Sequence, residues 1–340
     1  ISLLGLEVSE RLAQGETSLA ELSAVIQRSS SSAFLNRANR LGEYLGEMSI
    51  HRNTARLEEL FDRVAKRSES FEAFNKTMDR EWLGVVMTAH PTFGLSDKLY
   101  EALAGLALDD ADGGSELDDE DRTTLQDLVA SEIHAPDDPV NLSKEHKLSL
   151  EAIANLHWAL RRVYGVALDV ARKNFPEQWS KLSPRLLTVA SWVGYDLDGR
   201  SDILWYDTFR ARMIVELEQL KAYLTQINSI QKMFESVLET CSESQDAMKK
   251  VEEKLRATEY AVASDIELLA RDCEDVSAVE RLGKQLARSL DVRLTDASFC
   301  VALLTEAIDA STEGDLTRSL CILRAEMANH GLGMAHTHVR

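Results

Sequence analysis

His90 is the residue of this chain best placed to do chemistry. It sits in Thr88-Ala89-His90-Pro91-Thr92, directly after the apolar run Gly84-Val85-Val86-Met87. Proline drives the residue before it into an extended conformation, so the run predicts a buried strand that ends by presenting an imidazole. With an ordinary pKa of roughly 6.5, that ring can exchange a proton near neutrality or, as a cation, steady phosphate oxygens; a hydrogen bond within a turn is the plainer use. A second run, Leu186-Leu187-Thr188-Val189-Ala190, leads into Ser191-Trp192-Val193-Gly194-Tyr195-Asp196-Leu197-Asp198-Gly199-Arg200. Asp196, Asp198 and Asp202 superficially resemble a calcium loop, but the glycine is misplaced for one, and a turn capping the next helix through Ser201 or Asp202 is the simpler reading. Arg200 either pairs with one of these acids or faces an anionic ligand. At the end of the sequence Met334, His336, His338 and Arg340 alternate, so they share one strand face opposite Ala335, Thr337 and Val339. Two histidines at that spacing can ligate a metal, but no third ligand is identifiable, and no metal-binding residue is assigned.

Together these segments resemble the signature motifs of the phosphoenolpyruvate carboxylase family. Its histidine motif is Thr-Ala-His-Pro-Thr, followed by an acid or amide and soon after by two arginines. Its second motif is Ser-Trp-Met-Gly-Gly-Asp-Arg-Asp-Gly-Asn-Pro. The core at 88–92 is intact here, as are Ser191, Trp192, Gly194, Asp196, Asp198 and Gly199. The departures are Phe93, Ser96 and Asp97 in the first motif, and Tyr195, Leu197 and Arg200 in the second. A weaker match closes the chain, with Arg340 on the family's substrate-binding arginine and His338 on its aspartate.

The resemblance implies a lyase that forms oxaloacetate from phosphoenolpyruvate and bicarbonate, with Mg or Mn as cofactor. The metal ligands and most phosphate ligands belong to the family's C-terminal half and are not in this chain. His90 and Arg340 are then the expected catalytic residues, with Arg200, Asp196, Asp198 and His338 lining the substrate. The expected fold is mostly α-helical α/β: a partial (β/α)8-type barrel of the phosphoenolpyruvate carboxylase kind, with few strands. The alternative is a catalytically inactive relative serving as an anion-binding or protein-interaction scaffold, which the lost arginines at Ser96 and Asp97 favour. A helical adaptor without any ligand is a third reading.

With 340 residues the chain can bury a large core, and residues 1–340 are expected to form the N-terminal part of one large carboxylase-like domain. A net charge of −19 disfavours nucleic acid and anionic membranes as partners. The spacing of Cys241, Cys273, Cys300 and Cys321 suits reduced, packed thiols and a cytoplasmic location, and no run is long enough to span a membrane. A homo-oligomer is compatible with all of this.

Something must hold these segments in place. All five prolines lie between Pro91 and Pro184, so long helices are expected afterwards. Phe209, Met213, Leu217, Leu220, Leu224 and Ile227 make one apolar stripe; Met248, Val251, Leu255, Val262, Ile266 and Leu269 make a second. A third helix, with Asp315 as N-cap, runs through Leu316, Leu320, Leu323 and Met327 to Gly331, and a fourth spans 148–175, with Trp158 in its core. Strands are expected at 84–88, 186–190 and 333–339, and a mobile acidic loop at 109–121.

Overall fold

The structure, a computed structural model, describes residues 50–87, 95–108, 117–133, 135, 141–195, 203–269, 276–289 and 292–337. The chain divides into two compact units, one of residues 1–53 and 90–140, the other of residues 54–89 and 141–340.

Helix α1 (Ile50–Arg67), which lies in the larger unit from Thr54 on, and α2 (Phe71–Met78) lead into strand β1 (Glu81–Met87). The smaller unit carries α3 (Asp97–Leu108) and α4 (Asp119–Ser131), which close on each other around Leu95, Leu99, Ala102, Leu106, Leu117 and Val129. Asp118 caps α4 by accepting the Glu120 and Asp121 amides. The end of the acidic stretch therefore forms a helical first turn rather than loop, because carboxylates are stabilised at a helix N-terminus. Residues 109–116 lie outside the described residues.

The larger unit resumes with α5 (Leu142–Asn174), β2 (Leu186–Ser191), α6 (Trp205–Met233), the short α7 (Glu235–Leu238), α8 (Ser242–Leu269), α9 (Val276–Ser289), α10 (Ser298–Ala310), α11 (Gly314–His330) and β3 (His336–Thr337). Helix α5 starts where Asn141 accepts the Lys144 amide and stops at Phe175, ahead of Pro176. Helix α6 begins after Leu204, which stands at the cap position with its amide held by Asp207; the expected caps Ser201 and Asp202 lie outside the described residues. Glu313, not Asp315, caps α11; a side chain just outside the helix reaches its first free amides, whereas Asp315 lies within the first turn. Gly331 ends α11 with φ +61.

The apolar stripes meet in one core. Leu220, Leu224 and Ile227 of α6 pack with Met248, Val251 and Leu255 of α8, Leu304 and Ile308 of α10, and Leu316, Leu320 and Leu323 of α11. Each such buried side chain contributes about 1.5–3 kcal/mol, which makes this helical layer the rigid part of the unit. Phe209, expected in the α6 stripe, is exposed. Trp158 is exposed too, at 54%, with Arg162 stacked 4.8 Å over its ring. A cationic stem covers an indole face well, so this tryptophan has no need of the core. Cys300 and Cys321 are buried and Cys241 half-buried.

The three strands form one parallel sheet in the order β1-β2-β3. Only β2 is central. Strand β1, expected to be buried, leaves Trp82, Leu83 and Val86 exposed, because among the described residues it has a strand neighbour on one side only. Among the described residues strand β3 covers His336 and Thr337, and 338–339 lie outside them; Met334 and Ala335, expected within the strand, are both buried in the lead-in, so strand alternation has not begun there. Among the described residues, no helix is long and apolar enough to cross a membrane.

Candidate functional site at the strand ends

Parallel pairing brings the C-terminal ends of all three strands to one edge. Met87 pairs with Ser191, and Ser191 with Thr337. The histidine motif follows Met87, the acidic turn follows Ser191, and the His/Arg alternation continues from Thr337. His90, Asp196, Asp198, Arg200, His338 and Arg340 themselves lie outside the described residues.

What is visible is how the motifs begin. Ser191 Oγ accepts the Val193 amide at 3.2 Å and lies 3.3 Å from Ser149 Oγ of α5. The Tyr195 amide donates back to the Trp192 carbonyl, closing a turn at Gly194. Gly194 has φ +90, and a Cβ there would come within 3.0 Å of the Ala211 methyl. Ser191 and Gly194 are thus motif positions with a plain structural duty: one satisfies the turn amide, the other lets the chain reverse against α6.

Tyr195, at a position where the family motif has glycine, is buried in a small enclosed space with His146, Ser149, Ser191 and His336. Burial pushes its phenol above the ordinary value, with Arg212 and Thr337 acting the other way, and burial pushes the His146 imidazole down. The substitution fills volume between sheet and helices directly behind the strand ends. Ser96, at one of the arginine positions, is buried and accepts the Leu99 amide at 3.1 Å, starting α3. A hydroxyl that caps a helix supplies no positive charge.

Sequence reasoning missed two buried charge clusters. His157 of α5 is held by Glu326 of α11, which also meets Arg161 and Gln226. Arg293 grips Glu216 of α6 with one nitrogen at 3.2 and 3.1 Å and Asp265 of α8 with another at 3.4 Å. Their partners are far apart in sequence, so spacing carries no signal for them. A groove of about 700 Å³ between α5, α6 and α11, lined by Trp158, Arg161, Arg162, Gln226 and Arg318, lies among the helices rather than at the strand ends.

The family model for phosphoenolpyruvate carboxylase matches residues 17–337, nearly the whole chain. The chain belongs to the phosphoenolpyruvate carboxylase family. No curated protein matches it. Enzymes of the phosphoenolpyruvate carboxylase family use a divalent metal, but among the described residues no group of three or more His, Cys, Asp or Glu side chains could hold one, so no step is assigned to a metal held by them.

Proposed function

We propose that this chain contributes the histidine-bearing part of a carboxylase site that converts phosphoenolpyruvate and bicarbonate to oxaloacetate. The observation that carries this reading is the common edge at which β1, β2 and β3 end. Adjacent strands lie about 4.8 Å apart, so β1 and β3, with β2 between them, end about 10 Å apart; three residues of chain reach at most about 11 Å, so the histidine motif and the final arginine start close enough to serve one ligand.

In the proposed reaction a bicarbonate oxygen attacks the phosphorus, the bond to the enol oxygen breaks, and an enolate and carboxyphosphate result. Carboxyphosphate splits into carbon dioxide and phosphate, and the enolate carbon attacks the carbon dioxide. His90 exchanges the proton or, as imidazolium, stabilises the phosphate oxygens. Arg340 and Arg200 supply local positive charge that a chain of net charge −19 otherwise lacks. Asp196, Asp198 and His338 orient the substrate. The test is bicarbonate-dependent oxaloacetate formation by the intact protein. His90→Asn is expected to lower kcat by roughly 10²-fold or more without unfolding it, and an unchanged kcat would reduce His90 to a turn residue.

The helix-capping role of Ser96 favours a second reading, an inactive scaffold that binds anions or a protein partner. An intact protein that binds phosphoenolpyruvate but releases no oxaloacetate supports it.

A further inference from the structure

Among the described residues strand β3 meets its neighbour at two positions. Two residue pairs, Ala190 with His336 and Ser191 with Thr337, tie it to β2. A slip of one residue would turn every side chain that follows to the other face, carrying His338 and Arg340 with it. Its placement draws on the lead-in, residues 331–335, and that segment is gripped from the helical layer. Tyr223 of α6 donates to the Gly331 carbonyl at 2.8 Å, and the Gly333 amide donates to the His330 carbonyl at 3.3 Å.

The grip nearest the strand is His157. It is 1% exposed; Nε2 lies 2.6 Å from the Met334 carbonyl and Nδ1 3.2 Å from a Glu326 carboxylate oxygen. Both neighbours accept, so the imidazole is held between a carboxylate on one side and a backbone carbonyl on the other. Burial works to raise the Glu326 carboxyl, but the His157 hydrogen bond, the Arg161 charge and the Gln226 amide outweigh it and hold it below the usual carboxylate range. His330 stacks on the His157 ring at 4.2 Å and is pushed down to about 3, so it stays neutral beside it.

We propose that His157 is a positioning residue for the strand-end site, bridging α11 to the Met334 carbonyl and so fixing where β3 delivers the residues that follow it. This rests on the functional reading above. An imidazole between a buried carboxylate and a backbone carbonyl is rigid and charge-assisted, and the two helices it joins belong to the packed core.

The test uses the intact protein with His157→Phe, which keeps an aromatic ring beside His330 and removes both ring nitrogens, and His157→Gln, which keeps a side-chain amide able to donate. Amide exchange is followed in peptides covering 331–337 and in a reference peptide from α8. In His157→Phe, exchange at 335–337 is expected to quicken by about 10-fold or more while the reference is unchanged. KM for phosphoenolpyruvate is expected to rise by about 10-fold, more than kcat falls, with His157→Gln between that variant and wild type on both measures. If the Phe variant does not fold, the Gln variant carries the same comparison. Unchanged exchange at 335–337, a uniform rise across the molecule, or local loosening with an unchanged KM overturns the proposal. A wild-type protein without turnover removes the functional reading alone, and the exchange data then decide the role of His157.

Discussion

At the scale of single residues, His330 should make stability depend on pH. Its imidazole is pushed down to about 3 in the fold by burial, against roughly 6.5 in an unfolded chain. Between those values the unfolded chain binds the proton and the folded one does not, so this contribution is fully present above pH 6.5 or so and is lost as pH falls below it. Tm is expected to drop between pH 7 and pH 5, and less steeply in His330→Gln; equal slopes would show that another group titrates. His146, lowered in the same direction, keeps the slope from vanishing. The thiols differ as sharply. Cys300 is pushed up to about 12 and Cys321 to about 11 by burial, while Cys241 is lowered by its contact with the Thr312 hydroxyl. Among these three, iodoacetamide should alkylate Cys241 first in the folded protein, as read by peptide mapping, and equal labelling would contradict the packing around Cys300 and Cys321.

At the scale of elements, the turn after β2 and the end of α11 both depend on glycine, for different reasons. Gly194 combines φ +90 with a neighbour at 3.0 Å, whereas Gly331 has φ +61 and open space where a Cβ would go. Gly331→Ala should therefore cost about 1–2 kcal/mol from backbone strain alone, and Gly194→Ala more than that, because Ala211 on α6 must also move. Denaturant midpoints of the two variants check the order. The reverse order would mean that α6 yields easily, and with it the start of the acidic turn. The pairing of β1 with β2 is firm along Leu83 to Met87 but irregular at its start, where Leu186 takes φ +60. The strain sits at the end of the strands remote from the motifs.

At the scale of the whole molecule, residues 1–340 by themselves are expected to form no oxaloacetate from phosphoenolpyruvate and bicarbonate. The described residues hold no cluster of metal-binding side chains, and among them β1 pairs on one side only. Such an edge is where further strands would extend the sheet. Bicarbonate-dependent turnover by the purified 340-residue chain would show that the motifs here suffice.

How much of this was legible in the sequence follows from the range of the forces involved. Helix stripes are local: Leu220, Leu224 and Ile227, or Leu316, Leu320 and Leu323, repeat every three or four residues, so their burial was readable before any fold was known. The short motifs were legible for a similar reason. Ser191 and Gly194 act within one turn, and their types announce it. Even the family could be recognised from 88–92 and 191–199. Exposure was less readable, because Trp158 and the β1 side chains depend on what lies across from them. The buried charges could not be read at all. His157 meets a carboxylate 169 residues away and a carbonyl 177 residues away, and Arg293 meets Glu216 across 77. Nothing in local spacing encodes such pairs. They exist because packed helices exclude water, and only the tertiary structure decides which charges are then left facing each other.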